Sequence, residues 1–447
     1  RGQVTAATRT VTYEVVLKER GYRPEPYALA DALMYADGKP IVEITNMSVQ
    51  ISGLTREKIA AYWASGIASA PQGERGVLTP RLNERGVLTP RSPARFEKHQ
   101  LLAFAEGKPS DAFGEPYRIF DEGRFVARLP RPPFSFIDRV TRIDAEPYKM
   151  VAGGLIEAQY DVPADAWYFK AERQPIMPFA VLLEVALQSC GFLAAYVGSA
   201  LTSSVDLAFR NLEGKAELLG TVTPDSGTLT TRVRLLEVAS SGGMIIQNYE
   251  FAVRGPIGEI YRGRTTFGFF SREALAQQVG IRGVKPYEVS GGRGFDYPRH
   301  APFPDDRLRM LDRIEHFLLE GGPHGLGFLE GRKIVDPEEW FFQAHFYQDP
   351  VWPGSLGLEA FLQLLKVAAV QYWPASKKGR FVVGTRAPHR WRYRGQVVPT
   401  NKEVTVQAVL TARDDATRTL TADGFLLVDG RIIYQMNDFT LQVDDLK

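Results

Sequence analysis

A histidine, a glycine at the mouth of an apolar helix and a carboxylate further along it stand within residues 344–365, AHFYQDPVWPGSLGLEAFLQLL. His345 follows the aromatic pair Phe341 and Phe342 and precedes Phe346, which predicts a buried, extended strand end. Asp349-Pro350 and Pro353-Gly354-Ser355 break the chain and restart it as a helix, because proline is tolerated in a first turn and not inside one. From Leu356 to Val370 this helix is apolar on nearly every face, relieved only by Glu359, Gln363 and Lys366. Such a helix must be wrapped by other elements. The His345 ring, the Gly354 amide at the positive helix end and the Glu359 carboxylate are therefore directed towards one buried place.

Groups of these types suit removal of water from a β-hydroxyacyl thioester. A base takes the α-proton, an acid protonates the departing hydroxyl, and an N–H dipole holds the thioester oxygen as enolate charge develops. Imidazole is the natural base near neutral pH. A glutamate in an apolar tunnel stays protonated because desolvation raises its pKa. The competing reading is a core histidine with a satisfied ring beside a helix-end glutamate. Phe346, Pro353 and Leu358, next to the three polar positions, are the candidate substrate contacts.

The run HFYQDPVWPGSLGLEA resembles the active-site signature of the hot-dog-fold β-hydroxyacyl-ACP dehydratases, especially the bacterial β-hydroxydecanoyl dehydratase/isomerase. That family has a catalytic His, a Gly nine residues on and an Asp or Glu fourteen residues on, spacings that His345, Gly354 and Glu359 keep. The decanoyl enzyme has Asp where this chain has Glu359, a departure that bears on the isomerase step. FAEGKPSDAFG (104–114), RLPRPPFSFIDRV (128–140), FRNLEG (209–214) and GTRAPHRWRYRGQVVPT (384–400) are similar to the dehydratase region of multidomain polyunsaturated fatty acid synthases. The resemblance covers most of residues 96–445. It implies a substrate carried on the phosphopantetheine of acyl carrier protein, no further cofactor, and other synthase domains as partners.

The elements that must position these groups recur within the chain. Phe136-Ile137-Asp138-Arg139-Val140 matches Met310-Leu311-Asp312-Arg313-Ile314, and Trp167-Tyr168-Phe169 matches Trp340-Phe341-Phe342. Pro175-Ile176-Met177-Pro178 matches Pro350-Val351-Trp352-Pro353, after which Glu184 pairs with Glu359 and Gln188 with Gln363. Each copy reads as a long buried helix with a curled antiparallel sheet around it, an α+β tandem (double) hot-dog fold. The first copy has Glu172 where the second has His345, and Phe179 in place of Gly354, yet keeps Glu184. Hot-dog dimers of the resembled family build each site across the interface, with His from one unit and the carboxylate from the other. The resemblance thus implies that His345 and Gly354 work with Glu184, while Glu359 stays the alternative acid within the same unit.

Another echo lies at the start. Arg1-Gly2-Gln3-Val4 recurs as Arg394-Gly395-Gln396-Val397, Asp37-Gly38 as Asp429-Gly430, and Ser48-Val49-Gln50-Ile51 as Thr440-Leu441-Gln442-Val443. The expected organisation is therefore C-terminal strands of an upstream hot-dog unit (1–52), then a helix and linker (53–95) in which ERGVLTPR occurs twice. A first hot-dog (96–282), a Gly- and Pro-rich linker (283–304) and a second hot-dog (305–447) follow.

Composition excludes little else. The chain has 447 residues, 44% hydrophobic and 24% charged, with a net charge of +2. That describes ordinary globular domains, with no electrostatic signature for nucleic acid and no membrane signature. The lone Cys190 lies in an apolar helical run and reads as core, compatible with a reducing, cytoplasmic setting. The remaining histidines show no metal spacing. Arg386, Arg390, Arg392 and Arg394 alternate along a strand, as a solvated face or a docking patch for an acidic carrier protein. A homodimer is compatible with this reading. Two other functions remain open: an acyl thioesterase, in which the carboxylate directs water onto the carbonyl, and a silent acyl-binding scaffold module.

Overall fold

A computed structural model of the chain describes residues 4–5, 8–21, 26–50, 94–375 and 379–444. The expected helix at 54–68 and the repeated ERGVLTPR segment at 73–91 lie outside the described residues. Two units are present, Arg1–Pro90 and Arg91–Lys447.

The first unit contains an antiparallel meander of three strands, Val11–Gly21, Tyr27–Ala36 and Lys39–Gln50. Its internal geometry repeats that of Glu403–Asp414, Thr419–Val428 and Arg431–Asp444 in the second unit. The left-handed hairpin residues Asp37 (φ 47°) and Asp429 (φ 48°) each accept two backbone amides, from Arg9 and Thr10 and from Lys402 and Glu403. A second left-handed pair, Asn46 (φ 55°) and Asp438 (φ 62°), donates its amides to Asp31 and Asp423. Asn and Asp tolerate this region better than other side chains do. Val11, Tyr13, Val15, Leu17, Val42, Ile44, Met47 and Val49 are exposed, whereas the residues in the same places of the second unit, from Val404 to Leu441, are buried.

In the second unit, fifteen strands form one antiparallel sheet around two central helices, Phe179–Tyr196 and Gly354–Tyr372. The halves of the sheet join where Ala208–Leu218 pairs with Pro388–Tyr393. Trp391 lies opposite Gly214 there, and a Cβ on Gly214 would come within 2.1 Å of the indole, so only glycine admits the ring at the seam. Both helices follow a proline, Pro178 and Pro353, and pack against each other. The first is long and apolar enough to cross a membrane, but 89% of it is buried inside the fold. Each helix is tied to the segment before its sheet by one glutamine. Gln188 receives the Phe136 amide at 2.8 Å and donates to the Phe134 carbonyl, and Gln363 does the same with Met310 and Leu308. These reciprocal bonds satisfy two amides that burial would otherwise penalise.

One local expectation changes. His345 terminates a short helix, Trp340–Ala344, and no strand forms there. The Asp336 side chain accepts the Glu338 amide and opens that turn, and the aromatic run packs equally well at helical spacing. In the Gly- and Pro-rich linker between the repeats, Tyr287 stacks on Phe425 with ring centroids 5.2 Å apart, and Gln407 holds its backbone.

Candidate active site

The second repeat delivers His345 through the turn between its short helix and the central helix. The ring Nδ1 donates to the Val351 carbonyl (3.1 Å), while the Val351 amide returns to the His345 carbonyl (2.8 Å). A carbonyl can only accept, so Nδ1 carries the proton and Nε2 keeps a free lone pair. Burial, ahead of every other influence, lowers the His345 pKa to about 3; the nearby Arg210 charge acts in the same direction, and the Val351 bond and Asp349 oppose it. The imidazole is therefore neutral at pH 7.

Gly354 is the first residue of the central helix, where amides have no intrahelical acceptor. Glycine is required because a Cβ would lie 2.7 Å from the Tyr393 ring. In the first repeat this place belongs to Phe179, packed edge-on against Tyr261, His389 and Phe439.

The two helix starts cross in a reciprocal way. Ser355 Oγ, on the second helix, donates to Glu184 Oε1 on the first at 2.7 Å, and Gln188 Nε2 donates to Oε2 at 3.0 Å. Glu359, on the second helix, faces the Ala180 amide of the first and accepts from Gln363 Nε2 at 3.2 Å. Each carboxylate thus lies beside the start of the other repeat's helix. Burial raises the pKa of both; for Glu359 the neighbouring Glu172 adds to the rise and Lys366 opposes it.

This crossing divides the predicted residues between two cavities. The first, of about 100 Å³, brings together His345, Phe346, Gly354, Ser355 and Glu184. Its far wall is Leu183, Leu187 and Gly191, one face of the first helix at helical spacing. Glu359 lies in the second cavity with Glu172, Phe179 and Lys366, where Lys366 is ion-paired with Glu172. Pro353 precedes the helix and Leu358 is wholly buried, and neither lines the first cavity. That cavity meets the second helix only at its first turn, so residues further along face the core.

Several lining residues were not singled out from sequence. Arg210 makes a bidentate pair with Asp349 (2.7 and 2.8 Å) and donates from Nε to Gln396 (2.8 Å). Burial alone would raise the Asp349 pKa, but this pair outweighs it and holds the carboxylate below its usual range. Tyr393, whose hydroxyl is buried without a protein partner, packs against Tyr434 with ring centroids 4.3 Å apart and the planes tilted by 47°. Only the inward alternation of His389, Trp391 and Tyr393 in the arginine-bearing strand signalled this side of the site. The outward arginines are occupied: Arg390 pairs with Asp438, and Arg392 and Arg394 with Glu213. Among the described residues no His, Cys, Asp and Glu cluster could hold a metal ion.

The arrangement can abstract a proton at Nε2, donate one from Glu184, and stabilise negative charge at the Gly354 helix end. The model of the FabA-like domain matches residues 129–258 and again 303–437. The chain is 30% identical over 388 residues to one subunit of the polyunsaturated fatty acid synthase of Thraustochytrium sp., covering 77% of this chain and 26% of that protein. It therefore spans about a quarter of that relative's length. Among solved structures it is similar to the dehydratase domain from the CurJ module of curacin polyketide synthase (13% identity, 68% of this chain and 96% of that one, TM-score 0.39). It is also similar to GphF dehydratase 1 (14% identity, 65% and 94%, TM-score 0.41). With the matched stretches spanning more than half of its 447 residues, the chain belongs to the FabA-like domain family and carries that domain twice.

Proposed function

We propose that the chain is a β-hydroxyacyl thioester dehydratase with one working site, assembled across its two repeats. The observation that carries this reading is the single cavity shared by His345, Gly354 and Glu184. His345 Nε2 removes the α-proton, its tautomer set by the Val351 carbonyl. Burial by itself disfavours the charged ring; the enolate forming beside it supplies the missing counter-charge. The Gly354 amide holds the thioester oxygen at the helix end. Glu184, kept protonated by burial, delivers its proton to the departing hydroxyl. As written, the reaction moves only protons and a water, so it calls for no cofactor beyond the carrier's phosphopantetheine.

The kinship with a fatty acid synthase supports an acyl carrier protein as the substrate's bearer and a multidomain synthase as the setting. We also propose that residues 1–52 are the closing strands of a further hot-dog unit, supported by the match of the strands Val11–Gly21, Tyr27–Ala36 and Lys39–Gln50 to those of residues 403–444 in hairpin and bulge geometry. The test of function is incubation with a β-hydroxyacyl-pantetheine thioester. Loss of one water in the mass spectrum is the expected result. Release of free thiol instead would make the chain a thioesterase, and binding without either change would make it an acyl-binding module.

A further inference from the structure

Tyr393 lines the first cavity with its ring across Gly354, and its Oη lies 3.2 Å from the place a Cβ on that glycine would take. The residue is 5% exposed and its hydroxyl has no hydrogen-bond partner in the protein. Packing does not explain the oxygen. The tilted ring contact with Tyr434 and the close approach to Gly354 use the ring alone, which phenylalanine would supply without burying an unpaired donor.

The two repeats differ at this position in parallel with their sites. Tyr393 pairs with Tyr434 on the last strand of the second repeat. On the last strand of the first repeat Tyr261 pairs with Leu218, so leucine stands there, lining the second cavity. The hydroxyl is present in the repeat that has His345 and Gly354 and absent from the one that has Glu172 and Phe179. The Tyr261 hydroxyl, by contrast, is occupied by His389 Nε2 at 3.0 Å.

We propose that Tyr393 is a catalytic residue that donates its hydroxyl hydrogen to the thioester oxygen of the substrate, beside the Gly354 amide. The two donors, one from a helix end and one from a strand, form a paired oxyanion site that strengthens as charge moves onto that oxygen. Burial keeps the phenol protonated, as a donor must be. The assignment rests on the dehydratase reading and names a second donor for it.

The test is Tyr393→Phe, which keeps the ring and removes only the oxygen, compared with the wild-type chain. Turnover of a β-hydroxyacyl-pantetheine thioester should fall in kcat by about 100-fold, with KM changed far less, because the bond strengthens in the transition state. In parallel, affinity for a saturated acyl-pantetheine amide analogue, which keeps a carbonyl but has no β-hydroxyl to lose, is measured by calorimetry and should weaken about tenfold. Wild-type kcat in the variant, with unchanged analogue affinity, would overturn the assignment. If the wild-type chain dehydrates nothing, the functional reading fails by itself, and analogue affinity still decides whether Tyr393 contacts an acyl carbonyl.

Discussion

Replacing each of the two candidate acids, Glu184 and Glu359, by glutamine separates the cross-repeat site from its same-repeat alternative. At Glu184 the carboxylate accepts from Ser355 Oγ and from Gln188 Nε2. A glutamine side chain keeps the volume; its carbonyl can accept from Gln188, and its amide can donate to a Ser355 hydroxyl that has turned to accept. Both side-chain contacts can thus be kept, so the stability change should stay within about 1 kcal/mol. The transferable proton is gone, and loss of a general acid costs roughly 10²- to 10⁴-fold in rate. Glu359→Gln acts in the other cavity, where Lys366 retains its Glu172 partner. Dehydration should survive there. Stability at pH 8 should rise, since a carboxylate whose pKa burial has raised favours folding only while protonated and loses that contribution as pH climbs. The assay is kcat/KM on a β-hydroxyacyl-pantetheine thioester beside urea titrations of all three proteins. If both variants are folded and Glu359→Gln is the inactive one, the acid is Glu359 and the crossing of the helices has no catalytic meaning.

Three further outcomes follow from the same geometry. Arg210→Ala leaves the half-buried Asp349 without its cation, which should destabilise the fold by roughly 1.5–3 kcal/mol and slow turnover by loosening the His345 turn; adding Asp349→Asn should recover much of the stability, and a cost for the single change below about 1 kcal/mol would deny the pair this role. Because His345 titrates near 6.5 unfolded but at about 3 folded, its contribution is intact above the unfolded value and is lost as pH falls; between pH 7 and pH 5 the wild type should lose about 2 kcal/mol more than His345→Asn in denaturant titrations, and equal losses would contradict a buried neutral ring. Removal of residues 1–90 should leave dehydration unchanged if the first unit completes a different hot-dog, and loss of turnover in a folded remainder would refute that division.

Much of this site was legible because its parts are locally coded. The spacing from His345 through Pro353 and Gly354 to an all-round apolar helix can be read directly, and the repeat places Glu184 at the equivalent position of the other helix. What could not be read comes from pairings across long separations. Arg210 reaches Asp349 across 139 residues, and Tyr393 enters the site only because its strand meets Ala208–Leu218 at the seam. Strand alternation gives the face on which Tyr393 stands, but not which of two cavities that face borders. Pro353 and Leu358 failed to reach the cavity for a related reason: proximity along a helix does not say how far a cavity follows it. The turn ending at His345 was hidden by an aromatic run, Trp340-Phe341-Phe342, that suits a strand or a helix equally, and the helix it forms has no side-chain cap to announce it.

The central claim is that one imidazole, held in one tautomer, takes the α-proton of a β-hydroxyacyl thioester. Its most direct test is solvent exchange and dehydration followed together by mass spectrometry, with a β-hydroxyacyl-pantetheine thioester in deuterated water. The wild-type chain should yield the enoyl product and, through reversal, place deuterium at the α-carbon, while a folded His345→Ala chain should do neither, slower by roughly 10²- to 10⁴-fold or more. Dehydration at a comparable rate in His345→Ala would contradict the account.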